Sequence, residues 1–598
     1  MKTNGIGRLI GEARIKAGIS QRKLCKGLCS VQLLSKIEKE ERVPDIMLLE
    51  ALLQRMGKSP EKLEIILTVD EYRRIEHRDE IEEAIRFGRL TEAEGKLQTY
   101  LEKYKREGTM QILYGLRMEG ILALERGEYD KAENRFKAAV MHSVSEEKWI
   151  YLERELLCTF ELENFVLLSQ VWLKQGEMQS AEALLESLYR YAKTHITDEE
   201  ETVKMQSKIA ALLGEIYNAT GRYQDCVRIC EPVFELEREL FMLQAMSLLM
   251  ENLICAFCGM GEKEQADKIR IWQDTLEEVF VGQGLHIDCV NGMYFNCSTR
   301  QYYLDSELIR GERIRKGMTQ EQLCEGVYEC VESVSRVENG KESPNRIKFR
   351  QLMERLGVGK SRYNAYLATN EYEAMEIDAK IEKHLSRRCY EDAKRELEYL
   401  EHFIDMTAIE NVQLVQRRRN IILQRENKMM PLQVMEEAEK LLSVTYGFEE
   451  TNLVRVPFRN ELYLYNQICL MLWKLGRKEE CIAAYQRMVA CFEKSRVNAK
   501  YHFRSIALLI SHMTDCMEKI GKLEVAEYWT IWGLNNVLKN GKGTTIERLL
   551  SDLVCIYQKQ NINRELCLKI AWQTLRCSEL FKQKCFGEVT KKYIQDNF

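Results

Sequence analysis

The chain has 598 residues, of which 45% are hydrophobic and 30% are charged, a composition typical of folded proteins and not of disordered ones. Its formal net charge of −5 excludes a protein covered over its whole surface by nucleic acid, so any such contact has to be local. Only six prolines interrupt the chain, which favours an almost wholly helical, multidomain fold because proline breaks helices.

The distribution of cysteines and of apolar residues predicts the cellular compartment of the protein. Twenty cysteines are scattered through predicted helices and do not form the dense disulfide framework of a small secreted domain. Cys255 and Cys258 make a single CxxC within a predicted helix, which we interpret as part of the core because no second pair follows at zinc spacing. Residues 1–7 lack the apolar core of a signal peptide, and no segment has the roughly 18 uncharged apolar residues of a membrane span. We therefore expect a cytoplasmic protein without membrane contact or a metal site.

Four short helices are predicted in the first 57 residues from apolar residues at helical spacing and from signals at the helix ends. Gly18 and Gly27 supply turns, and Ser20 and Ser30 are placed to cap the helices that follow them. The predicted helices are Ile6–Ala17, Gln21–Lys26, Val31–Glu38 and a fourth that begins at Pro44-Asp45 and ends at Gly57. Two short helices joined by a tight glycine turn form a helix-turn-helix, whose second helix enters the major groove of DNA.

The segment RIKAGISQRKLCKGL and the following SVQLLSKIEKEERVPD resemble the Cro/repressor-type (XRE-like) helix-turn-helix family over about 60 residues. The resemblance implies that Gln21 contacts phosphate and that Val31 and Gln32 face base edges, since a Val methyl packs on thymine and Gln pairs with adenine. The predicted DNA-binding residues are Gln21, Arg22, Ser30, Val31, Gln32, Ser35 and Lys36.

Charge agrees with this interpretation. Residues 1–57 hold eleven lysines and arginines against six acidic residues, and phosphate contacts require such a local excess of positive charge. The alternative is a small helical domain whose charges serve only solubility.

A short signature recurs behind this module: a glycine, a long or apolar side chain two residues later, and a small residue three positions after that. The glycine turns the chain between two antiparallel helices, and the small residue lets them pack closely. Matches begin at Gly88, Gly127, Gly176, Gly221, Gly261, Gly476 and Gly521, with a partial copy at Tyr390–Ala393. The segments GILALERGEYDKAENRFKAAV and GEIYNATGRYQDC resemble tetratricopeptide repeats, which stack helical hairpins into a superhelix.

A superhelix of this kind has a concave groove that binds extended peptides, and the first helix of each hairpin faces it. Counting back from the turn glycines gives the predicted ligand-binding residues Glu215, Asn218, Asn252, Asn466, His512 and Asp515. Asparagine side chains there would pair with the amides and carbonyls of a peptide. The alternative is that all six are ordinary polar residues of a solvated face.

The chain then repeats itself. Residues 1–99 recur at residues 305–399 with a nearly constant spacing of 300 positions, and such self-similarity decides the fold. Matched pairs include Arg14 with Arg313, Gly27 with Gly326 and Pro44 with Pro344. We expect an all-α chain with two helix-turn-helix domains, each followed by a tetratricopeptide-like superhelix. The predicted domains are residues 1–70, 71–300, 301–370 and 371–598.

The second helix-turn-helix has lost its basic surface. Ten basic residues face ten acidic ones in residues 305–357. Arg22, Lys23, Lys26 and Gln32 are replaced by Glu321, Gln322, Glu325 and Glu332. A carboxylate facing phosphates weakens binding, although glutamate accepts a hydrogen bond from cytosine. This copy is either a weaker DNA reader, which we favour, or a structural or dimer-forming unit.

Sites for catalysis are not evident. Gly359-Lys360-Ser361 resembles the end of a phosphate loop, but Glu354 stands where the first glycine belongs, and a helix precedes it where a phosphate loop needs a strand. The eight histidines form no HExxH and no cluster at ligand spacing. We expect neither an enzyme nor a cofactor.

A Cro-type domain followed by tetratricopeptide repeats, within about 300 residues, resembles the RRNPP peptide-pheromone receptors. The resemblance implies a transcriptional regulator that binds double-stranded DNA and holds a peptide in the repeat groove. Those receptors work as homodimers, whereas this chain carries two copies and predicts a covalent pseudo-dimer that still has the option of pairing again as a homodimer. The alternatives are an interaction scaffold whose helix-turn-helix domains bind only protein, and a repressor regulated by a partner subunit.

Overall fold

The structure, a computed structural model, describes residues 5–104, 108–448 and 455–598. Within these ranges the chain forms thirty α-helices and one three-stranded sheet, so the predicted all-α class is confirmed apart from the sheet. No helix in the described ranges combines the length and the apolar character that crossing a membrane requires.

The first half contains fifteen of the helices described. They are α1 Ile6–Lys16, α2 Gln21–Cys25, α3 Val31–Glu38, α4 Ile46–Arg55, α5 Val69–Arg86, α6 Leu90–Tyr104, α7 Thr109–Glu125, α8 Tyr129–Met141, α9 Thr159–Gln175, α10 Met178–His195, α11 Glu199–Ala219, α12 Tyr223–Leu240, α13 Met246–Met260, α14 Lys263–Gly282 and α15 Asp288–Asn291. We call α1–α4 the first head and α5–α14 the first array.

The second half contains the other fifteen described helices. They are α16 Asp305–Arg315, α17 Gln320–Cys324, α18 Val331–Glu338, α19 Arg346–Arg355, α20 Tyr372–Ser386, α21 Tyr390–Leu400, α22 Ile409–Arg425, α23 Pro431–Ser443, α24 Arg459–Lys474, α25 Lys478–Lys494, α26 Phe503–Lys519, α27 Leu523–Lys539, α28 Ile546–Lys559, α29 Arg564–Leu580 and α30 Lys584–Asn597. We call α16–α19 the second head and α20–α30 the second array.

The helix ends of the first head follow the predicted signals. The Ser20 hydroxyl accepts a hydrogen bond from the amide of Lys23 at 3.2 Å, and the Ser30 hydroxyl accepts one from the amide of Leu33 at 3.2 Å. Gly18 has a φ of 67°, which ends α1 in the left-handed conformation that glycine adopts without strain. The predicted turn chemistry is therefore confirmed.

The helical hairpins of both arrays use the glycine signature as predicted. The turn glycines have φ angles between 70° and 87°, and the small residue that follows each is fully buried against the partner helix, as at Ala93 and Cys481. Where the signature lacks its glycine, Arg388 takes the left-handed conformation with a φ of 61°. Successive helices pack against each other along each array, which is the stacking of a repeat protein.

The sheet was not predicted. Its strands are β1 Leu63–Leu67, β2 Gln301–Leu304 and β3 Tyr363–Ala365. β1 lies in the centre, parallel to β2 and antiparallel to β3. All five residues of β1 are buried, because the strand lies between β2 and β3. The strand was not predicted because a short apolar run cannot be told from a helix segment by periodicity alone.

Equivalent residues of the two halves meet in this sheet. Glu64 stands opposite Asn364, which lies 300 positions later, and Leu63 and Ile65 face Ala365 and Tyr363 in the reciprocal order. Reciprocal contacts between the same positions are what a twofold axis produces.

A second reciprocal contact joins the arrays. The amide of Leu243 donates to the carbonyl of Gly541 at 2.9 Å, and the amide of Gly543 donates to the carbonyl of Phe241 at 2.6 Å. Between them Met242 faces Lys542 in an antiparallel bridge. The two halves therefore touch at two places where residue n meets residue n + 300.

Candidate nucleic-acid interface

The helix α3 has one buried and one exposed face. Leu34 and Ile37 point into the first head and are 0% exposed, whereas Val31 is 41% exposed and Gln32 and Lys36 are also exposed. Of the other predicted DNA-binding residues, Arg22 and Ser30 are exposed and Gln21 and Ser35 are half-buried. The periodicity of α3 thus brings the predicted base-reading side chains together on the outer face.

Most cations around α3 keep their charge available. Among the described residues, Arg22, Lys23 and Lys36 form no ion pair, while the ammonium group of Lys26 lies 2.9 Å from the Glu155 carboxylate. The face beside α3 is therefore basic, as phosphate contacts require.

Gln21 has a second task. Its side-chain nitrogen donates to Glu38 at 2.7 Å, and the Arg14 guanidinium donates to the same carboxylate at 2.6 and 2.9 Å. These bonds to Glu38 raise the pKa of Arg14 above its usual value. The side-chain amide of Gln21 is thus engaged within the head, and the predicted phosphate contact would use the main-chain N–H at the start of α2.

A buried ion pair ties the helix-turn-helix to the first array. Arg55 at the end of α4 donates to Glu161 of α9 at 2.5 Å and to the carbonyls of Leu24 and Lys26 at 2.8 and 2.7 Å. Burial alone would raise the pKa of Glu161, but Arg55 lowers it below its usual value. The turn that leads into α3 is therefore fixed to the array by a desolvated charge pair.

The second head keeps the same interior. Arg313 and Gln320 donate to Glu338 at 2.6 and 2.7 Å, which repeats the arrangement around Glu38. A capping box is present as well, because the Thr319 hydroxyl accepts from the Gln322 amide while the Gln322 side chain accepts from the Thr319 amide. The hydrogen bonds inside the second head therefore match those inside the first.

Its surface differs. Glu332 is exposed at the place of Gln32, and Arg336 lies 3.3 Å from Glu342. The turn before α18 is one residue longer, and the Cys330 side chain at the cap position accepts no hydrogen bond from the helix amides, although its Sγ lies 3.3 Å from the Ser333 hydroxyl. The second head thus offers an acidic and less tightly capped face.

The predicted ligand residues of the first array bond to each other. The Asn218 side chain donates to the carbonyl of Asn252 at 3.0 Å, and the Asn252 side chain donates to the carbonyl of Ala211 at 2.8 Å. Glu215 is exposed. None of the three lies among the residues around the cavity described below, and their role in ligand binding stays a prediction.

In the second array the structure brings two predicted ligand residues together. Asn466 and His512 are 3.0 Å apart, and the Tyr485 hydroxyl donates to Asn466 at 3.2 Å. Burial lowers the pKa of His512 to about 3, so its ring is neutral. Asp515 pairs with Lys519 at 2.7 Å. The three predicted ligand residues thus have partners within the array, and their role in binding stays a prediction.

A cavity of about 320 Å³ lies between α4, α5, α7, α9, α11 and residues 294–302 on one side and residues 500–501 and 536–540 of the second array on the other. Its walls carry buried charge clusters: Arg117 lies 2.6 Å from Glu163, and Lys204 bridges Glu61 and Glu201 at 3.1 and 2.8 Å. Sequence reasoning missed these residues. Their signal was charged side chains within otherwise apolar first helices of the hairpins.

Two further charged side chains line the cavity outside any ion pair, and the Arg78 guanidinium lies 5.9 Å from the centroid of the Tyr114 ring. Within the described residues, the side chains of Arg78 and Glu82 form no hydrogen bond or ion pair. Burial raises the pKa of Glu82 above its usual range. A cation and a carboxyl group therefore face the same space, which suits a ligand that carries both charges.

The CxxC pair and one cluster of possible metal ligands lie outside the DNA-binding face and the cavity. Cys255 and Cys258 are exposed, so the interpretation that they belong to the core is wrong, because this part of α13 faces away from the hairpin contacts. In the described part of the chain, His384, Cys389 and Asp392 bring three ligand atoms within 4.8 Å of one another. Asp392 also pairs with Arg395, and a cation would have to compete with it.

Known proteins give one family match and distant structural likenesses. Residues 10–63 match the helix-turn-helix family, whereas no curated protein matches the sequence. PlcR of Bacillus thuringiensis, solved with the peptide PapR7 and DNA, is 14% identical with a TM-score of 0.33 over 48% of this chain and 98% of its own. ComR of S. thermophilus, solved with DNA and its signalling peptide ComS, is 13% identical with a TM-score of 0.31 over 49% and 99%.

A helical repeat assembly is also similar. The Cut9–Hcn1 hetero-tetramer of the APC/C is 11% identical with a TM-score of 0.22 over 86% of this chain and 96% of its own. The family match and the geometry of α1–α4 agree: residues 10–63 form a helix-turn-helix domain of the XRE type.

Proposed function

We propose that this protein is a sequence-specific DNA-binding transcriptional regulator whose arrays sense a peptide or protein ligand. The observation that carries the proposal is the outer face of α3, where Val31, Gln32 and Lys36 are exposed on a helix-turn-helix domain. Gln32 reads adenine and Val31 packs on a thymine methyl. Arg22 and Lys36 hold phosphates, which sets the register but carries no sequence information.

The proposal includes a covalent pseudo-dimer, divided into residues 1–70, 71–300, 301–370 and 371–598. The reciprocal contacts at Glu64 with Asn364 and at Met242 with Lys542 support it, because equivalent positions meet only when two copies face each other. Covalent linkage makes docking of the second half intramolecular and raises its effective concentration without new contacts. It also leaves one head free to diverge.

The charged cavity supports ligand sensing. Its volume of about 320 Å³ lies at the lower end of the range for ligand pockets. Glu50 of α4 lines the same space, so a ligand bound there contacts the helix that anchors the first head. A ligand that prefers one arrangement of head and array shifts the equilibrium between the two.

Exchange of Gln32→Ala with Lys36→Ala tests the DNA assignment. We expect sequence-specific binding to fall by on the order of a hundredfold, since each base contact contributes about 1–3 kcal/mol, with helical content unchanged. The operator comes first, from a genome-wide binding map, and affinity is then measured by fluorescence anisotropy at several salt concentrations.

The matched control is Glu332→Ala with Arg336→Ala, the equivalent positions of the second head. It leaves the first head intact, so on DNA that carries a single half-site any shared loss would come from unfolding. Unchanged affinity of the Gln32 and Lys36 variant refutes the assignment. Phosphate contacts release counterions, so the affinity for duplex DNA should fall as the salt concentration rises. An affinity that does not depend on salt would instead support the interaction scaffold.

A further inference from the structure

The connection between the two halves begins with a turn, in which the Phe295 amide donates to the Gly292 carbonyl at 2.9 Å, and continues along the first array as an extended peptide over residues 295–300. Residues 291–300, which we call the connecting segment, alternate strictly between buried and half-buried positions. Met293, Phe295, Cys297 and Thr299 are each at most 5% exposed. Alternation with period two is the mark of an extended chain with one face bound, here without a neighbouring strand.

Side chains from the first half accept hydrogen bonds from the main-chain amides of the connecting segment. The Cys297 amide donates to the Gln244 side chain at 3.0 Å, and Gln244 is itself held by a bond to the Lys204 carbonyl at 2.7 Å. The Thr299 amide donates to Glu61 at 2.8 Å. Polar side chains that satisfy main-chain groups are how a receptor holds a peptide whatever its sequence.

One side chain of the connecting segment enters a charge cluster. The amide oxygen of Asn296 accepts a hydrogen bond from the Lys208 ammonium group at 3.0 Å, and Lys208 pairs with the buried Glu163. Asn296 also borders the cavity of about 320 Å³. The cluster thus reads a carboxamide from within the space proposed for the ligand.

The far end of the connecting segment ties the heads together. Arg300 lies 3.2 Å from Glu50 of α4 and 3.5 Å from Glu61. β2 follows at once, pairs with β1 behind the first head and leads directly into α16 of the second head. Removing the segment from the array therefore loosens both heads at their common junction.

We infer that the connecting segment is a tethered peptide that holds the site of the first array, and that an external peptide regulates the protein by displacing it. The peptide is short and extended, with a carboxamide side chain at the place of Asn296 and a cation at the place of Arg300. This inference rests on the proposed function only for its consequence on DNA. Peptide binding itself is independent of DNA.

The test uses the full chain and a fluorescently labelled synthetic peptide with the sequence of residues 291–300. Asn296→Ala with Thr299→Pro releases the connecting segment, because proline has no amide to donate to Glu61. We expect the released variant to bind the peptide at least about tenfold more tightly than the unchanged chain, since a tethered competitor acts at millimolar effective concentration.

Two controls make the result specific. His286→Ala changes an exposed residue of the same connection and should leave affinity unchanged. Gln244→Ala in the released variant should reverse the gain, because it removes an acceptor for the peptide main chain. Hydrogen exchange confirms that α11 stays protected in the released variant, so that unfolding is not mistaken for weak binding.

Equal affinity of the released variant and the unchanged chain overturns the inference, and so does a gain that survives Gln244→Ala. DNA affinity is measured on the same samples. A chain that gains peptide binding but never binds DNA sinks the proposed function and leaves the tethered peptide standing, whereas the opposite result sinks only the tethered peptide.

Discussion

In the first head the guanidinium of Arg55 is buried against Glu161 of the array, whereas the equivalent Arg355 of the second head reaches only the more exposed Glu325 of its own turn. Both arginines hold the turn before the recognition helix through main-chain carbonyls. Only the first also binds the array. The same side chain therefore serves both internal order and docking in one copy, and internal order alone in the other.

In the second half, the arginine that pairs with the array carboxylate comes from the array itself and not from the head. Glu461, the counterpart of Glu161, is bound by Arg455 at 2.8 Å, and Arg455 reaches Glu312 of α16 at 2.6 Å. The second head thus docks through α16 where the first docks through α4. The carboxylate stands at equivalent positions of the two arrays, whereas the arginine that binds it comes from the head in the first half and from the array in the second.

The largest expected difference between the heads comes from removing these arginines. Arg55→Ala leaves Glu161 buried without its main partner and should lower the free energy of opening of the first head by about 3–5 kcal/mol. Arg355→Ala breaks an exposed pair and two exposed hydrogen bonds to the carbonyls of Gln322 and Glu325, and should cost about 1–2 kcal/mol. Hydrogen exchange of α3 and α18 amides measures both. Equal losses would show that burial of the pair does not distinguish the heads.

The arrays should differ in acid. Burial lowers the pKa of His502 and His512 to about 3, and their counterparts in the first array are Thr202 and Leu212. Between pH 6.5 and 3 the unfolded chain takes up protons that the folded array cannot accept, so the free energy of unfolding falls as pH drops through this window.

At pH 5 the cost is about 2 kcal/mol for each histidine, from 1.36 kcal/mol per pKa unit. Hydrogen exchange should show α26 opening more readily at pH 5 than at pH 7, with a smaller change in α11. His502→Gln with His512→Gln should remove the excess. A similar acid response of both arrays would mean that these rings are not the cause.

The acidic residues on the surface of the second head can be replaced by the residues of the first head. Glu321→Arg with Glu332→Gln recreates the residues of the first head at both places. We expect about tenfold tighter binding to DNA that carries two half-sites, since removal of two carboxylates from a phosphate-rich groove adds to the salt-dependent affinity. Binding to a single half-site is the control and should not change. No gain on two half-sites would mean that the second head does not dock on DNA.

The helices of the heads could be predicted because their signals are local in the sequence. The sheet and the side-chain contacts within the arrays could not, because they depend on residues far apart in the sequence. The bounds of α3 were predicted to the residue because Ser30 and the spacing of Leu34 and Ile37 act within one helix. β1 was missed because its partners lie some 240 to 300 residues away in the sequence. The contacts of the inner side chains were beyond the sequence for the same reason: counting from turn glycines gives a helix face, but only packing shows that Asn218 bonds to Asn252.

The smallest expected effect concerns the caps of the two recognition helices. Ser30 caps α3, and Ser30→Ala should cost about 1 kcal/mol of local stability because it leaves the Leu33 amide without its acceptor. Cys330 makes no such bond, so Cys330→Ser should stabilise α18 by a few tenths to about 1 kcal/mol, provided that the longer turn lets the hydroxyl reach the helix. Hydrogen exchange of the first amides of α3 and α18 reads both changes. If Cys330→Ser brings no protection while Ser30→Ala loses it, the inserted residue itself has displaced the cap position, and the two recognition helices differ in backbone geometry as well as in charge.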